Sequence, residues 1–257
     1  MEKFNRTVKR ALDILELVKN SDHPLCGKEI AQRMDMPQAS AFDITKTLLM
    51  EGYLEYANPS SKSYVIGVKC FEIGSGYISH MDLVQIAQPY TEKLMRLSNS
   101  TSFLAGVYKN QIIYLNKTEA PTSVRTSAVL GSRRDLGNTG LGKAILACYP
   151  EERVAEIFRE TRFTETTEHT IRTLDALRAD LEKTRRRGYA IDDREGNIDV
   201  YCIAAPIRDH TGEPVAAVSV AMLYSMKTDE LMGTLSRAIS DSALEISRKI
   251  GYTGQLY

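Results

Sequence analysis

The sequence predicts an α+β protein with an N-terminal winged helix-turn-helix, a linker helix and a C-terminal antiparallel sheet flanked by helices. Three observations predict this architecture. Residues 1–74 contain three short segments with apolar residues at helical spacing, followed by two strand-like segments. Residues 75–88 are helical again, and in residues 89–257 apolar segments of strand length occur together with longer helical ones. The length of 257 residues fits two domains of ordinary size.

The composition is that of a globular protein without disulfides. Hydrophobic residues make up 43% of the chain, and no apolar run approaches the ~20 residues that cross a bilayer. The first residues lack the apolar stretch of a secretory signal, so we expect a cytoplasmic protein with no membrane partner. The four cysteines lie far apart, without a C-x-x-C pair or a matching histidine cluster. We therefore expect no disulfide framework, no metal site and no cofactor.

Three helices are predicted in the first domain. The first has apolar residues at helical spacing, and the turn residues 21–24 end it. These apolar residues are Val8, Ala11, Leu12, Leu15 and Val18. A short second helix carries Ile30, Ala31 and Met34. Pro37 suits the first position of a third helix, which ends near Gly52. The positions that this third helix buries are Ala41, Ile44 and Leu48.

A β-hairpin follows the third helix. Residues 53–56 and 63–66 are predicted strands, and the turn chemistry of residues 58–61 lies between them. Three helices followed by such a hairpin, or wing, make a winged helix-turn-helix. The first two helices pack against one side of the third and hold it in place. An α-helix has a diameter that fits the major groove of B-DNA.

The exposed side of the third helix is the predicted DNA-reading surface. Gln38, Ser40 and Thr47 can hydrogen-bond bases or phosphates, and Phe42 can pack on a thymine methyl group. Ala39, Asp43 and Lys46 also face outward. Lys46 suits a contact with a phosphate, and the carboxylate of Asp43 can accept a hydrogen bond from cytosine N4. Further phosphate contacts are expected from Arg6, Arg10 and Lys62. The 33 basic and 33 acidic residues of the chain cancel, so only this local placement of cations supports DNA binding. The alternative is an interaction module whose charges are merely solvated.

The C-terminal half shows an α/β pattern that predicts an antiparallel sheet. The predicted strands are residues 102–109, 111–119, 125–130, 188–192, 202–208 and 214–222. The predicted helices are residues 141–149, 151–159, 174–187 and 228–249. The helical stretch before them, from about Met81 through Leu97, contains Pro89, which is expected to kink or divide it.

Several sequence blocks follow one another in a distinctive order. The first two are the run Val8-Lys-Arg-Ala-Leu-Asp-Ile-Leu-Glu-Leu and the Glu29–Ala41 run. The later blocks are Thr139-Gly-Leu-Gly-Lys-Ala-Ile-Leu-Ala, Arg187-Gly-Tyr-Ala-Ile-Asp-Asp, Cys202-Ile-Ala-Ala-Pro-Ile and Val215-Ala-Ala-Val-Ser-Val. Together these blocks resemble the IclR family of bacterial regulators over nearly the whole chain, and the first two resemble its first helix and its helix-turn-helix. The chain departs from the family pattern at residues 135–138, where Pro-(Leu/Met)-His-Ala is common, and at Asp43, where arginine is frequent.

The resemblance implies a GAF-like effector domain, a homodimer or homotetramer, double-stranded operator DNA as a partner, and control by a small-molecule effector. It also implies an effector pocket. Gly140 and Leu141 would offer backbone N–H groups at the start of a helix. The rest of the implied pocket consists of Thr126, Asp192, Val200, Cys202, Ser219 and Ala221.

The residues themselves leave alternatives open at these positions. Gly137–Lys143 fits the start of a phosphate-binding loop, but Ala144 replaces the Ser or Thr that binds magnesium, so nucleotide hydrolysis is disfavoured. This glycine-rich entry to a helix is either an anion site or a close-packing device. Asp192 and Asp193 point to opposite faces of a strand, so only one of them can enter a pocket, which argues against paired acid–base catalysis. Adjacent acids at a strand end are more often solvated or cap a turn, and the alternative is that Asp192 faces the ligand as an acceptor.

Cys202 and Ser219 also allow two interpretations each. Cys202 fits a core thiol better than a catalytic one, because no histidine lies in a suggestive context. Ser219 shares a strand face with Ala217 and Ala221, which suits either a satisfied core hydroxyl or a pocket floor.

These patterns together predict a non-enzymatic transcriptional regulator. A small organic acid or related metabolite would bind beside the Gly140 helix and favour one arrangement of the linker, residues 76–88. That would change how paired winged helices match operator half-sites about 34 Å apart, or a multiple of that distance. The alternative is a ligand-sensing protein whose helical head contacts a protein partner instead of DNA. An enzymatic alternative would use the Gly137–Lys143 loop on a phosphorylated substrate.

Overall fold

The computed structural model describes residues 5–58, 60, 62–79, 82–121, 128–161 and 166–257. The chain forms two compact units, Met1–Met81 and Asp82–Tyr257. A helix-turn-helix unit followed by an antiparallel sheet with helices confirms the predicted α+β class. Within the described residues, no helix is long and apolar enough to span a membrane.

The first unit contains the three predicted helices and the predicted hairpin. Its elements are α1 (Arg6–Lys19), β1 (Leu25–Cys26), α2 (Gly27–Arg33), α3 (Gln38–Met50), β2 (Leu54–Tyr56), β3 (Ser63–Ile66) and α4 (Val68–Ser79). Asn5 caps α1 by accepting hydrogen bonds from the backbone N–H groups of Thr7 and Val8. β1 was not predicted, and it makes the hairpin a three-stranded antiparallel sheet of order β1-β3-β2.

Two details of the predicted helix faces are wrong. Val8 and Leu12 of α1 are 55% and 58% exposed, whereas Ile14, which was not predicted, is buried together with the predicted Val18. In α3 the fully buried middle position is Thr45, while Ile44 is half-buried. Burial of Thr45 is tolerated because its hydroxyl donates to the backbone oxygen of Ala41, at 2.8 Å.

The segment between the hairpin and the second sheet is helical, as predicted, but its bounds differ. α4 begins at Val68, directly after the hairpin, and ends at Ser79. α5 (Asp82–Ser98) runs through Pro89 without dividing. Proline costs one backbone hydrogen bond inside a helix, and burial of α5 side chains such as Ala87 and Leu94 offsets that cost. The domain boundaries at 74/75 and 88/89 remain predictions.

The second unit is a six-stranded antiparallel sheet between two helical layers. Its further elements are β4 (Thr101–Tyr108), β5 (Gln111–Thr118), β6 (Arg133–Asp135), α6 (Gly140–Leu146), α7 (Glu151–Glu160), α8 (Leu174–Arg187), β7 (Ala190–Asp193), β8 (Val200–Arg208), β9 (Pro214–Leu223) and α9 (Asp229–Lys249). The strand order is β6-β5-β4-β9-β8-β7. α5 and α9 pack against the sheet, and α6 contacts β7, β8 and β9. A core cluster containing Phe103, Tyr114, Ala204 and Ala217 joins the sheet to α6, α7 and α8.

The strand predicted at residues 125–130 is wrong at residues 128–130 and untested at residues 125–127. Residues 122–127 lie outside the described residues, and residues 128–130 are not in a strand. Among the described residues the sheet ends with β6, which there pairs with β5 alone. β6 reads Arg-Arg-Asp, and charged residues are common on an edge strand. Such a strand lacks the apolar alternation on which sequence-based strand prediction depends.

Candidate DNA-binding surface and effector cavity

The outer face of α3 is exposed to solvent. We define this outer face as Gln38, Ala39, Phe42, Asp43, Lys46, Thr47 and Met50, all of which are exposed. Its two large apolar side chains, Phe42 and Met50, are 58% and 75% exposed. Ser40 is half-buried at the edge of this face, and the Thr47 hydroxyl donates to the backbone oxygen of Asp43. The opposite side of α3 packs against α1, α2 and β2, so the helix is held from behind as predicted.

The cations predicted to contact phosphates are also exposed. Arg6 and Arg10 lie on α1, and Lys62 lies in the hairpin turn with a positive φ of 47°. Lys9, between the two arginines, is held by Asp13 at 2.7 Å. Because they are exposed, Arg6, Arg10, Lys46 and Lys62 are accessible to a negatively charged ligand.

A cavity of about 520 Å³ opens in the second unit beside the start of α6. This volume falls in the range of sites that hold small molecules. Seven of the eight residues that the sequence predicted for a pocket line it, namely Gly140, Leu141, Asp192, Val200, Cys202, Ser219 and Ala221. The eighth, Thr126, lies outside the described residues.

The glycines at the start of α6 allow the helix to approach its neighbours closely. A Cβ at Gly140 would lie 3.0 Å from Cys202 Sγ, and one at Gly142 would lie 2.1 Å from the backbone oxygen of Leu136. Thr139 caps the helix by accepting a hydrogen bond from Gly142 N–H. The glycine-rich entry is therefore a packing device, and it also brings the backbone of residues 140 and 141 to the cavity wall.

Asp192 is the buried carboxylate of the cavity. It is 7% exposed, and its Oδ1 accepts hydrogen bonds from the backbone N–H groups of Glu195, at 2.8 Å, and Gly196, at 3.4 Å. Burial raises its pKa, while Lys143 and these N–H groups lower it. Asp193, next to it on the strand, instead pairs with Arg194 at 2.9 Å. As the alternation of strand side chains predicts, only one of the two acids lines the cavity.

Cys202 and Ser219 form part of the cavity floor. Burial and the nearby Asp192 carboxylate raise the pKa of the Cys202 thiol to about 12. A neutral buried thiol is a poor nucleophile, so the geometry supports a packing and lining role. Ser219 is fully buried and pairs in register with Phe103, which also lines the cavity.

A buried ion cluster lies behind the cavity. Lys143 is fully buried, and its ammonium group contacts Glu195 Oε1 and lies 3.0 Å from Asp180 Oδ2. Burial lowers the pKa of Lys143, but Glu195 and Asp180 outweigh that effect and raise it. The backbone oxygen of Glu195 accepts hydrogen bonds from the hydroxyls of Thr170 and Thr166, at 2.8 and 3.2 Å. The lysine of the phosphate-loop-like motif is thus enclosed in an ion cluster.

Stability is expected to fall as pH rises, because of Glu195. Burial, only partly offset by Lys143, raises the pKa of Glu195 from 4.5 to about 7. The folded protein then binds this proton more tightly than the unfolded chain, so the stabilisation is complete below about pH 4.5 and is lost as pH approaches about 7. We expect Glu195→Gln to remove roughly 2–3 kcal/mol of this pH dependence, measured by urea unfolding across pH 4–8. Asp193→Asn is the control, and an unchanged pH profile in Glu195→Gln would contradict the assignment.

The sequence analysis missed other residues that line the cavity. They are Phe103, Tyr114, Arg133, Arg134, Asn138, Thr166 and Gly196, among others. Phe103 and Tyr114 form a tilted aromatic pair with ring centroids 5.2 Å apart. Their inward position on β4 and β5 was available from strand alternation. No sequence pattern marks Glu195 in this way, because it lies in the turn after β7 and contacts Lys143 only in the tertiary structure.

The two sites define a class of protein. One compact unit presents an exposed third helix on a winged helix-turn-helix, and the other contains a cavity of small-molecule size. Among the described residues, no cluster of His, Cys, Asp and Glu could hold a metal ion. This is the arrangement of a DNA-binding regulator with a separate ligand-binding domain.

Comparison with known proteins identifies the family. Residues 75–248 match the family described as bacterial transcriptional regulator IclR C-terminal, and residues 7–57 match the IclR helix-turn-helix domain. The HTH-type transcriptional repressor AllR of Escherichia coli K12 is 30% identical over 250 residues, which cover 97% of this chain and 92% of AllR. The HTH-type transcriptional regulator BhcR of Paracoccus denitrificans is 33% identical, with 94% and 86% of the two chains covered. The chain belongs to the IclR family of transcriptional regulators.

Solved structures agree with this fold. The crystal structure of Thermotoga maritima IclR matches with a TM-score of 0.80 and 32% identity, covering 96% of this chain and 99% of that one. An IclR homologue from Microbacterium hydrocarbonoxydans, solved in complex with 4-hydroxybenzoate, matches with a TM-score of 0.81 and 21% identity, covering 95% and 98%. The latter likeness concerns the fold alone.

Proposed function

We propose that this regulator binds operator DNA through the outer face of α3 and that a small organic acid in the cavity of the second unit controls it. The DNA-binding part of this proposal rests on the exposure of that face, since the opposite side of α3 packs against the rest of the unit. Gln38, Ser40 and Thr47 would contact bases or phosphates, Phe42 a thymine methyl group, and Asp43 a cytosine amine. The backbone at Ala39 would lie close to the bases. Lys46, Arg6, Arg10 and Lys62 would neutralise phosphates.

The lining of the cavity supports a polar, acidic effector. Gly140 and Leu141 would donate backbone N–H groups, and Asp192 would face the ligand. Arg133 and Arg134 bring positive charge to the same cavity, where Arg133 also lies 4.4 Å from the ring centroid of Tyr108. Val200, Cys202, Ser219 and Ala221 supply a mostly apolar floor, and Thr126 is assigned by resemblance.

The coupling between the sites would pass through the chain between them. We propose a homodimer or homotetramer whose paired winged helices bind half-sites about 34 Å apart, or a multiple of it. An effector that binds one conformation of residues 76–88 more tightly would shift the population toward that conformation. A protein partner for the helical head is the second candidate, since Phe42 and Met50 are exposed apolar side chains. Failure of α3 variants to affect DNA binding would favour it.

Substitution of Ser219 by leucine is expected to weaken effector binding at least tenfold while DNA affinity without effector stays within about twofold. The added side chain fills part of the cavity floor, far in sequence from α3. Isothermal calorimetry with organic acids, 4-hydroxybenzoate among them, measures the effect on effector binding.

The matched control is Val218→Leu, which enlarges the neighbouring, equally buried residue on the opposite face of β9. Melting temperatures show whether both variants fold. Unchanged effector affinity in folded Ser219→Leu would place the effector elsewhere.

A further inference from the structure

The ion cluster behind the cavity holds more negative than positive charge. We define the carboxylate cluster as Asp180, Asp192 and Glu195 with the single buried ammonium group of Lys143. Lys143 contacts Asp180 and Glu195, and Glu195 N–H donates to Asp192. The three carboxylates come from α8, β7 and the turn after β7, so the fold holds them together rather than one local motif.

Asp192 connects this cluster to the cavity. Its side chain is more than nine-tenths buried, and it lines the cavity. Both of its hydrogen bonds within the described residues go to Oδ1, which leaves Oδ2 for a ligand. An acidic ligand placed beside Gly140 and Leu141 would therefore lie next to a carboxylate, while the nearby Lys143 contacts Asp180 and Glu195.

Two adjacent carboxylates in a poorly solvated site repel each other strongly unless one of them is protonated. We propose that the cavity binds an acidic effector together with one proton, which the carboxyl groups of Asp192 and Glu195 hold. This inference rests on the proposed function, since it assumes that an organic acid occupies the cavity. The bound acid and the protein carboxyl group would thus share one proton in a hydrogen-bonded pair that carries a single negative charge.

Other charged or titratable groups surround the cluster and the cavity. Arg133, Arg134, Asp135 and Asp199 line the cavity, so with Asp192 its described lining has two cations against three carboxylates. Arg187 of α8 lies 4.0 Å from Asp180, and Arg194 is paired with Asp193. His169 belongs to the segment that packs on Glu195 and lies 3.9 Å from Glu168. The Cys202 thiol of β8 and the Tyr114 phenol of β5 have pKa values raised to about 12, so they are neutral near pH 7.

The cluster sets the pH range in which the proton is taken up. Burial raises the pKa of Glu195 to about 7 and also raises that of Asp192. Below about pH 7 the free protein already holds the proton, so acid affinity should change little with pH. Above it the proton must come from solvent, and affinity should fall about tenfold for each pH unit.

Calorimetry of the full chain tests the proposal directly. The probes are 4-hydroxybenzoate and short mono- and dicarboxylic acids, each beside its neutral primary amide. Titrations at pH 8 in HEPES and in Tris give the number of protons taken up, because the two buffers differ in ionisation enthalpy. We expect uptake of about one proton for a bound acid and none for its amide.

Two variants locate the proton. Glu195→Gln should abolish uptake and remove the fall in acid affinity above pH 7, whereas Asp193→Asn, a carboxylate outside the cluster, should leave both unchanged. An acid that binds at pH 8 with no proton uptake overturns the proposal but leaves the proposed function intact.

Carboxyl ¹³C chemical shifts of the ligand-free protein decide the case in which no probe binds. Full ionisation of both Asp192 and Glu195 at pH 6 would overturn the proposal. A proton still bound near pH 7 would support the proposal. The failure of the probes to bind would then mean that the proposed function names the wrong class of ligand.

Discussion

Replacement of Lys143 by methionine is expected to lower the free energy of unfolding by about 3–5 kcal/mol at pH 8. Lys143 is fully buried between Asp180 and Glu195, so methionine fills a similar volume but leaves buried carboxylates without their cation. The loss should be smaller at pH 5, because Glu195, whose pKa is raised to about 7, can then bind a proton. Urea unfolding at the two pH values measures both effects.

Two further variants sharpen this prediction. Lys183→Met, on the exposed side of α8, should change stability by less than about 0.5 kcal/mol. The double variant Lys143→Met/Glu195→Gln should recover part of the loss, since it removes one orphaned charge. A loss below about 1 kcal/mol in Lys143→Met would mean that the ion cluster is solvated and that the charge argument for the cavity is wrong.

Lys46→Glu is expected to weaken DNA binding about 100-fold, or about 3 kcal/mol, at moderate salt. Lys46 is exposed on the outer face of α3, so the change removes a phosphate contact and places a second carboxylate beside Asp43. Facing like charges cost several kcal/mol at an interface. Fluorescence anisotropy on a labelled duplex measures the loss, and the slope of log affinity against log salt should decrease by about one.

The control is the same charge reversal in the other compact unit. Lys183→Glu changes net charge identically but lies on α8, so DNA affinity should fall less than about threefold. Equal losses in the two variants would show that Lys46 acts only through net charge, and α3 would then have no special place at the DNA.

Much of the fold was predictable because it follows from side-chain periodicity. The third helix was located by Ala41 and Leu48, and the hairpin by its turn residues. The periodicity of α1 was ambiguous, since both Val8 and Ile14 belong to helical stripes and only packing decides which one is buried. Thr45 was missed because a hydroxyl counts as polar in a pattern even when it bonds its own helix.

The cavity was predictable in part. Resemblance located seven of its lining residues, because short motifs mark the strands and the helix that carry them. The ion cluster was not predictable. Lys143 was visible as the end of a glycine-rich motif, but its partners Asp180 and Glu195 are distant in sequence. Only the tertiary structure shows that this lysine is buried and paired, and thus does not face a phosphate.

Selection from a random pool of duplexes, followed by affinity measurement, tests the central claim most directly. If the outer face of α3 reads DNA, the wild-type chain should enrich one recurring sequence and bind it at least 1,000-fold more tightly than unrelated DNA. Lys46→Glu should lose most of that affinity, and Lys183→Glu should keep it. The claim would be contradicted if no sequence were enriched, or if the Lys46 variant selected and bound the same sequence as tightly as the wild type.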